Sequence, residues 1–523
     1  MDSAARQVLA LARRGLLRGA TGLSALAVLQ PSCARSQAPG NPFTLGLASG
    51  DPWPDGMVIW TRLAPDPMAT GGGMEAAPVE VSWEVAGDSR MARVLRRGTA
   101  TARPEAGHSV HVELTGLEPG RTYFYRFYTA RHASSIGRTR TAPAAGSEAP
   151  VRFLNAGCQN YEHGYFTAWR HAALEEEIDF VFHYGDYIYE YAGRPVGGRG
   201  WGPAVRSHHG GEATTLEDYR ARYAQYRLDP DLAAAHAAHP FICTYDDHEV
   251  ENNWVSLISQ RDGGRRFPVA TPPEVFALRA AAAFQAWYEN SPVRAAALPR
   301  GTDITAFRRL RFGRTLDFHA LDTRRFRDDQ PCGDGVVLPC EAVARPEAQV
   351  LGAAQESWLR DGLARGQARW QVLGQQIFVA PRIFPNGARS MDSWDGYPSA
   401  RARLLDMLAG RNAVILTGDV HRAWANDLQA QPEGRVVAVE FVGTSITSEG
   451  DGSEAQPTAA AAMSLNPHLK FHSNRRGYTL QVARADRLEA IYRAVPYVQQ
   501  AGAPREDRGH FVTLAGQPGV VPA

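Results

Sequence analysis

Four short stretches end apolar runs with side chains that ionise or bind ions. They are "NAGCQN" around Cys158, "GDYIYE" with Asp186 and Tyr189, "YDDHEVENN" with Asp246, Asp247, His248 and Glu249, and "TGDVHRAW" with Asp419 and His421. A lone aspartate often starts a turn or caps a helix. Four such ends in one chain instead assemble thiol, carboxylate, phenol, imidazole and amide, a donor inventory for metal ions. In "GDYIYE" the chain turns after Gly185, so Asp186 and Tyr189 converge on one side. A carboxylate bridges two ions through its two oxygens, whereas a phenolate serves a single hard, highly charged one. Two ions roughly 3.5–4 Å apart activate hydroxide and clamp a transferring group. The first ligand set on this reading is Cys158, Asp186, Tyr189 and Asp419.

The elements that must hold these residues are legible around them. From residue 151 onward, apolar runs such as "VRFLNAG", "IDFVFHYGD", "HPFICTYDDHE", "LDFHALDTR", "WQVLGQQIFVA" and "AVILTGDVH" recur. Helical stretches lie between several of them: "GYFTAWRHAALEEE", "LEDYRARYAQYR", "PEVFALRAAAAFQAWYEN" and "SARARLLDML". Near-continuous apolar strands alternating with helices describe an α/β sheet buried on both faces. Such sheets carry their ligands at the carboxyl ends of the strands, where the four clusters stand. The part from 445 to 475 is small and polar, and reads as a loop with a helix inside it.

Residues 43–145 read as all-β. "MVIWTRLAP", "VEVSWEVAG", "SVHVELTGL" and "RTYFYRFYTA" are short runs rich in Val, Trp, Thr and aromatics, separated by Gly, Pro and Asp. Alternation in the last places Tyr123, Tyr125 and Phe127 on one side and Phe124, Arg126 and Tyr128 on the other. This resembles the end of a fibronectin-type sandwich. The Pro/Ala/Gly segment "RTAPAAGSEAP" (140–150) marks the boundary.

The chain has 523 residues, of which 44% are hydrophobic and 21% charged, with a formal net charge of +1. That is a multi-domain globular balance, and nothing in it asks for nucleic acid or an anionic membrane. Near the start, Arg13-Arg14 precede a short apolar stretch broken by Gly and Ser, with small residues at "SCA" and "SQA" beyond it. The stretch is short for a membrane span, and resembles a cleavable twin-arginine export signal. The expectation is a leader over 1–38, a sandwich over 39–145 and a catalytic domain over 146–523. The mature protein is expected in the periplasm or secreted, as a monomer without an integral membrane segment. Cys332 and Cys340 bracket a turn-rich insert that a disulfide would staple in an oxidising compartment.

Taken together, the motifs resemble a known family. "GDxxY" and "DDHE" are similar to signatures of the purple acid phosphatase and metallophosphoesterase superfamily, with Asp247 where that superfamily has a metal-binding Asn. "GDVH" resembles its "GHxH", with Asp419 in place of the first His. "CQ" after the first strand, "GDYIYEY", "DDHEVxNN" and "TGDVHRAW" in combination resemble the PhoD-like alkaline phosphatases, as does "FTLGLASGDPWPDGMVIWTRL" (43–63). The resemblance implies a four-layer α/β/β/α domain behind a β-sandwich, and phosphate-ester hydrolysis at an Fe(III) and calcium centre by a metal-activated hydroxide. It implies Cys158 and Tyr189 on iron, Asp186 bridging, and Asp247 with Asn252 or Asn253 (Asn253 preferred) on the calcium-type ion. Asp419 matches a metal aspartate and His421 a site histidine touching metal or phosphate. Two departures stand out: Gly157 where Ser is usual, and Tyr245 where Trp commonly precedes "DDHE", a change expected at the pocket wall.

Arg324 and Arg422 are candidates to hold a phosphate oxygen, since guanidinium matches phosphate geometry; Arg324 and Arg325 pairing with Asp322 and Asp328 is the plainer alternative. Cys243 reads as packing, His208 and His209 as exposed or rim residues, and Tyr187, Glu190 and Tyr191 as packing or supports for ligands. No P-loop and no Gly-x-Ser-x-Gly elbow is evident. The rival activities are a phosphodiesterase or phospholipase D-type reaction at the same site, or a non-catalytic phosphate-binding protein.

Overall fold

The computed structural model describes residues 40–523 apart from 265, 432, 433 and 455. The leader expected over 1–38 lies outside the described residues. Among those described, no helix is long and apolar enough to cross a membrane.

The chain opens with a hairpin of β1 (Leu47–Trp53) and β2 (Gly56–Arg62), followed by β3 (Val79–Ala86), β4 (Val94–Ala102), β5 (Ser109–Glu113), β6 (Thr122–Tyr128) and β7 (Gly137–Arg140). β4-β3-β6-β7 form one antiparallel sheet, and its inner face meets β1, β2 and β5 through Met57, Ile59, Val81, Val85 and Tyr125. Tyr123, Tyr125 and Phe127 are all buried, as the alternation requires. The second face of this sandwich is the edge of a larger sheet, because β1 pairs in parallel with β10 (Pro240–Cys243).

The first α/β half contains β8 (Val151–Ala156), α1 (Thr167–Ala173), β9 (Phe180–His183), α2 (Leu216–Arg227), α3 (Pro230–Ala238), β10 and α4 (Pro273–Asn290). Helix α2 starts where Thr215 and Asp218 cap each other, side chain to backbone in both directions. The second half runs through β11 (Arg308–Phe312), β12 (Leu316–Ala320), β13 (Val336–Val337), α5 (Gly352–Arg365), β14 (Trp370–Gly374), β15 (Arg389–Ser390) and α6 (Pro398–Leu408). It continues with β16 (Ala413–Thr417), β17 (Ala423–Gln429), β18 (Val436–Val442), α7 (Pro457–Leu465) and β19 (Leu469–Ser473). The end of the chain, β20 (Arg476–Ala483), β21 (Arg487–Val495), β22 (Glu506–Leu514) and β23 (Gln517–Pro522), returns to the first sheet.

Two large sheets result, ordered β23-β22-β21-β20-β8-β9-β10-β1-β2-β5 and β11-β12-β14-β16-β18-β17-β19. They face each other across Phe153, Phe180, Phe182, Phe318, Val414 and Phe441. Helices cover the outer faces, with Trp169, Tyr223 and Trp287 on the first and Leu359, Leu404 and Leu408 on the second. The architecture is therefore α/β/β/α. Every residue of β9, β10, β14 and β16 is buried, which is why these strands read as unbroken apolar runs. Parallel pairing of β8, β9 and β10 in one sheet, and of β12, β14, β16 and β18 in the other, brings their carboxyl ends to a common edge.

Candidate metal centre and active site

After β9 the chain turns through Tyr184 and Gly185 to Asp186. Gly185 has φ +125°, and a Cβ there would run into the Asp246 backbone, so glycine lets the loops after β9 and β10 touch. The Tyr184 ring fills the space that side chains at Gly157, Gly418 and Gly443 would need. Those three glycines follow β8, β16 and β18, so one buried ring spaces strand ends drawn from both sheets. The Tyr184 hydroxyl donates to the Thr444 carbonyl at 2.5 Å. The ring thereby accounts for Gly157 at a position where the resemblance leads to serine.

Backbone strain gathers at the same edge. Cys158, Asp186, Asn253, Asp419, His421 and Glu449 all take φ between 51° and 70°, six of the twelve non-glycine residues with positive φ among those described. Such conformations cost about 1–3 kcal/mol each and persist where surrounding structure imposes them, commonly at functional corners.

The side chains converge. The Tyr189 hydroxyl donates to Asp186 Oδ2 at 2.8 Å, and lies 3.2 Å from His421 Nε2 and 2.6 Å from Ser448 Oγ. Cys158, Asp186 and His421 offer ligand atoms within 4.8 Å of one another; so do Asp186, Asp247 and His248, and Asp246, Asp247 and Asp419. Asp186 belongs to two of these groups. Its Oδ1, with Asp246 Oδ2 and Asp247 Oδ1, is buried without a hydrogen-bond partner. Unpaired buried carboxylate oxygens are costly, and cations would satisfy them. Burial, and then Asp186, push the Tyr189 phenol far above its usual range; the same two influences raise the Cys158 thiol. Burial pushes Asp419 up to about 7 against the pull of Arg324. It would raise Asp247 too, but Arg324 and His248 hold that carboxyl well below the usual range. The donor set fits metal ions.

Asn253 donates its backbone N–H to Asp247 Oδ2 at 2.7 Å, and Asn252 instead meets Tyr191, Gln260 and Glu190. Glu190 holds His248 Nδ1 at 2.7 Å while His248 stacks on Tyr189, ring centres 4.1 Å apart. Arg324 meets aspartates, though Asp246, Asp392 and Asp419 rather than Asp328. Its Nε lies 2.6 Å from Asp246 Oδ1, its Nη1 2.9 Å from both Asp392 oxygens, and its Nη2 3.4 Å from Asp419 Oδ1. It is wholly buried, and Asp246, Asp392 and Asp419 take four of its five N–H groups. Arg422 pairs with Glu449 at 3.0 Å. Two further expectations need correction. His208 is buried against the Tyr226 hydroxyl at 2.9 Å rather than exposed, and Tyr245 packs among Trp254, Phe284 and Trp287, away from the cavity wall. Cys243 is a free buried thiol in β10, and Cys332 and Cys340 form a disulfide.

A cavity of about 630 Å³ opens over the cluster, lined by Asp186, Asp247, Asn253, Asp419 and His421, with Tyr191, His248, Trp201 and Arg266 extending it. Trp201 is 44% exposed, its ring centre 5.6 Å from that of His421 and 6.0 Å from that of Tyr189. A Cβ at either neighbouring glycine would meet Arg194 (from Gly200) or the His163 ring (from Gly202). Trp201, Ser448 and Glu449 are site residues that the motifs do not include; the glycines either side of Trp201 are the one local signal.

Models of two families match this chain: the N-terminal domain of PhoD-like phosphatases over residues 29–143, and the PhoD-like phosphatase domain over 153–492. The chain belongs to the PhoD-like phosphatase family. It is a phosphoric ester hydrolase, 45% identical over 489 residues to alkaline phosphatase D of Bacillus subtilis (strain 168), with 92% of this chain and 82% of that one covered. The solved structure of PhoD superposes with a TM-score of 0.87 at 43% identity over 92% of each chain. Purple acid phosphatase PPD1 from yellow lupin seeds shares the fold, with a TM-score of 0.54 at 13% identity over 90% of this chain and 74% of its own. In this fold, strand-end residues of both sheets, Asp186 and Asp247 from the first and Asp419 and His421 from the second, line one cavity.

Proposed function

We propose that this PhoD-like phosphatase hydrolyses phosphate esters at an Fe(III) and calcium centre held by Cys158, Asp186, Tyr189, Asp247, Asn253, Asp419 and His421. The observation that carries this reading is Asp186, shared by two donor groups with one buried oxygen unpaired. Thiol and phenol donors suit ferric iron, while carboxylate and amide oxygens suit calcium. Bound ions of this kind lower the pKa of water and neutralise charge developing on a phosphoryl group.

The residues around them have separable tasks. Tyr189 is the phenol that would meet iron, and its hydroxyl donates to Asp186. His421 turns Nε2 to the site while Glu449 lies 3.4 Å from Nδ1, which fixes the ring and the nitrogen it offers. Arg324 supplies the countercharge that lets Asp246, Asp247 and Asp419 sit together.

A second reading, a phosphodiesterase or phospholipase D-type activity, is favoured by the cavity wall that Tyr191, Trp201 and Arg266 continue beyond the aspartates. Export through the twin-arginine pathway to the periplasm or beyond is supported by Arg13-Arg14 and by a disulfide that suits an oxidising compartment.

The test is turnover of a chromogenic phosphate monoester and its matching diester by mature, iron- and calcium-loaded enzyme, with Asp186→Asn and His421→Ala as controls. Faster monoester turnover, abolished by Asp186→Asn, supports the phosphatase. Faster diester turnover selects the second reading, and no turnover of either with both metals bound sinks both.

A further inference from the structure

We propose that Asp334, carried on the loop closed by the Cys332–Cys340 disulfide, is a positioning residue that turns the side-chain oxygen of Asn253 toward the cation site. The inference rests on reading Asn253 as a cation ligand.

The backbone of Asn253 is fixed on both sides. Its N–H donates to Asp247 Oδ2 at 2.7 Å, and its carbonyl accepts from Gln330 Nε2 at 2.8 Å. What stays open is the side-chain amide, whose two ends are almost the same shape but opposite in hydrogen-bonding sense. Asp334 decides between them. Asn253 Nδ2 donates to Asp334 Oδ1 at 2.5 Å. An ionised carboxylate only accepts, so the amide must present its NH₂ there and leave its oxygen on the other side. Asn253 and Asp247 line the same cavity. A divalent cation there needs the oxygen and is repelled by the NH₂.

Asp334 is itself held by little besides the loop. Its Oδ2 is buried without a hydrogen bond, 3.8 Å from Arg266 Nη1. The loop packs few side chains: Val336 is 54% and Leu338 64% exposed, and Gly333, Pro339 and Cys340 are exposed as well. Its other ties are the Met391 N–H to the Gly335 carbonyl at 2.8 Å and the two-residue pairing of β13 with β15. With so little packing, the disulfide is the covalent closure of this loop. The disulfide therefore keeps Asp334 on Asn253, and opening it lets the amide turn.

Removing an outer partner of a metal ligand typically costs 10–100-fold in affinity. The experiment is isothermal titration of calcium into the metal-depleted, folded full chain. Asp334→Ala is expected to weaken calcium binding about tenfold or more. Asp334→Asn, whose amide oxygen still accepts from Asn253, is expected to retain most of it. Cys332→Ser with Cys340→Ser, or mild reduction of the unsubstituted protein, should weaken binding too, and adding Asp334→Ala should then change nothing further, because both act through one contact. If Asn253→Ala weakens calcium binding while Asp334→Ala binds normally, the inference falls and the ligand reading stands. If Asn253→Ala binds calcium normally, the ligand reading fails and takes the inference with it. Full effects of opening the disulfide and of Asp334→Ala that add together would overturn the link between the two.

Discussion

The carboxylate of Glu249 accepts the backbone N–H of Asp186 at 3.1 Å. It also accepts the N–H groups of Tyr187 at 2.6 Å and Asp246 at 2.8 Å. One buried side chain thus ties the loop after β9 to the loop after β10, and sets where Asp186 and Asp247 stand. Glu440 repeats the device in the second sheet, accepting from Val379 N–H at 2.7 Å, Ala380 N–H at 3.0 Å and Asn426 Nδ2 at 2.9 Å. Buried backbone donors at sharp corners need acceptors, and a carboxylate serves several at once.

Glu249→Gln puts an NH₂ where a backbone N–H needs an acceptor. The expected cost is about 1–3 kcal/mol of stability, the desolvation penalty of a buried donor left unpaired. Thermal melts should show it, and phosphate-ester turnover should fall further than in Glu440→Gln, because only Glu249 touches the Asp186 loop. Equal turnover in the two variants would count against this division of labour.

Gly157→Ser sets a side chain against the Tyr184 ring. Overpacking of this kind costs about 1–3 kcal/mol. A companion change that shrinks the ring, Tyr184→Leu, should restore part of the loss in the double variant. Additive losses in that cycle would show that the ring and residue 157 do not compete for one space.

What could be read from sequence was what is local. Gly185 precedes Asp186, and Tyr123, Tyr125 and Phe127 alternate with more exposed neighbours, all within a few residues. Ser448 reaches Tyr189 across 259 positions, and the pairing of β20 with β8 is set by the whole first sheet. Nothing near either segment announces this. Arg324 shows the limit most clearly. Guanidinium chemistry suits phosphate and carboxylate alike, and which it meets depends on Asp246 and Asp392, 78 and 68 positions away.

Arg324→Met removes the buried countercharge and leaves Asp246, Asp247, Asp392 and Asp419 facing one another. Breaking such a network typically costs about 3–5 kcal/mol. Bound cations replace part of the missing charge, so the drop in melting temperature should be larger in chelator than in excess calcium. A drop that calcium does not change would mean that Arg324 does not share its aspartates with a cation site.

Tyr189→Phe tests the iron assignment by colour. A tyrosine phenolate on ferric iron gives a visible charge-transfer band, so the iron-loaded protein should be coloured and the variant, still holding iron by elemental analysis, should lose the band. Loss of the hydroxyl also leaves Ser448 Oγ without its 2.6 Å neighbour, at a cost of about 1 kcal/mol. A colourless, fully active, iron-free enzyme would rule out Fe(III) and the place of Tyr189 on it.

Trp201 lines the cavity together with Asp186, Asp247 and His421. Its indole is 44% exposed although aromatic rings of Tyr189, Tyr191, His248 and His421 lie within 6.4 Å of it, centre to centre. A substrate whose second ester arm extends past the phosphate would cover the exposed part, and an aromatic contact of that kind contributes about 0.5–1.5 kcal/mol beyond its buried area. Trp201→Ala should therefore lower kcat/KM about tenfold for diesters with long or flat second arms, mainly through KM, and leave a small monoester nearly unchanged. Steady-state kinetics over a series of lengthening esters reads this directly. A uniform loss across the series would mean that Trp201 only supports His163 and the loop around it, and has no part in choosing the substrate.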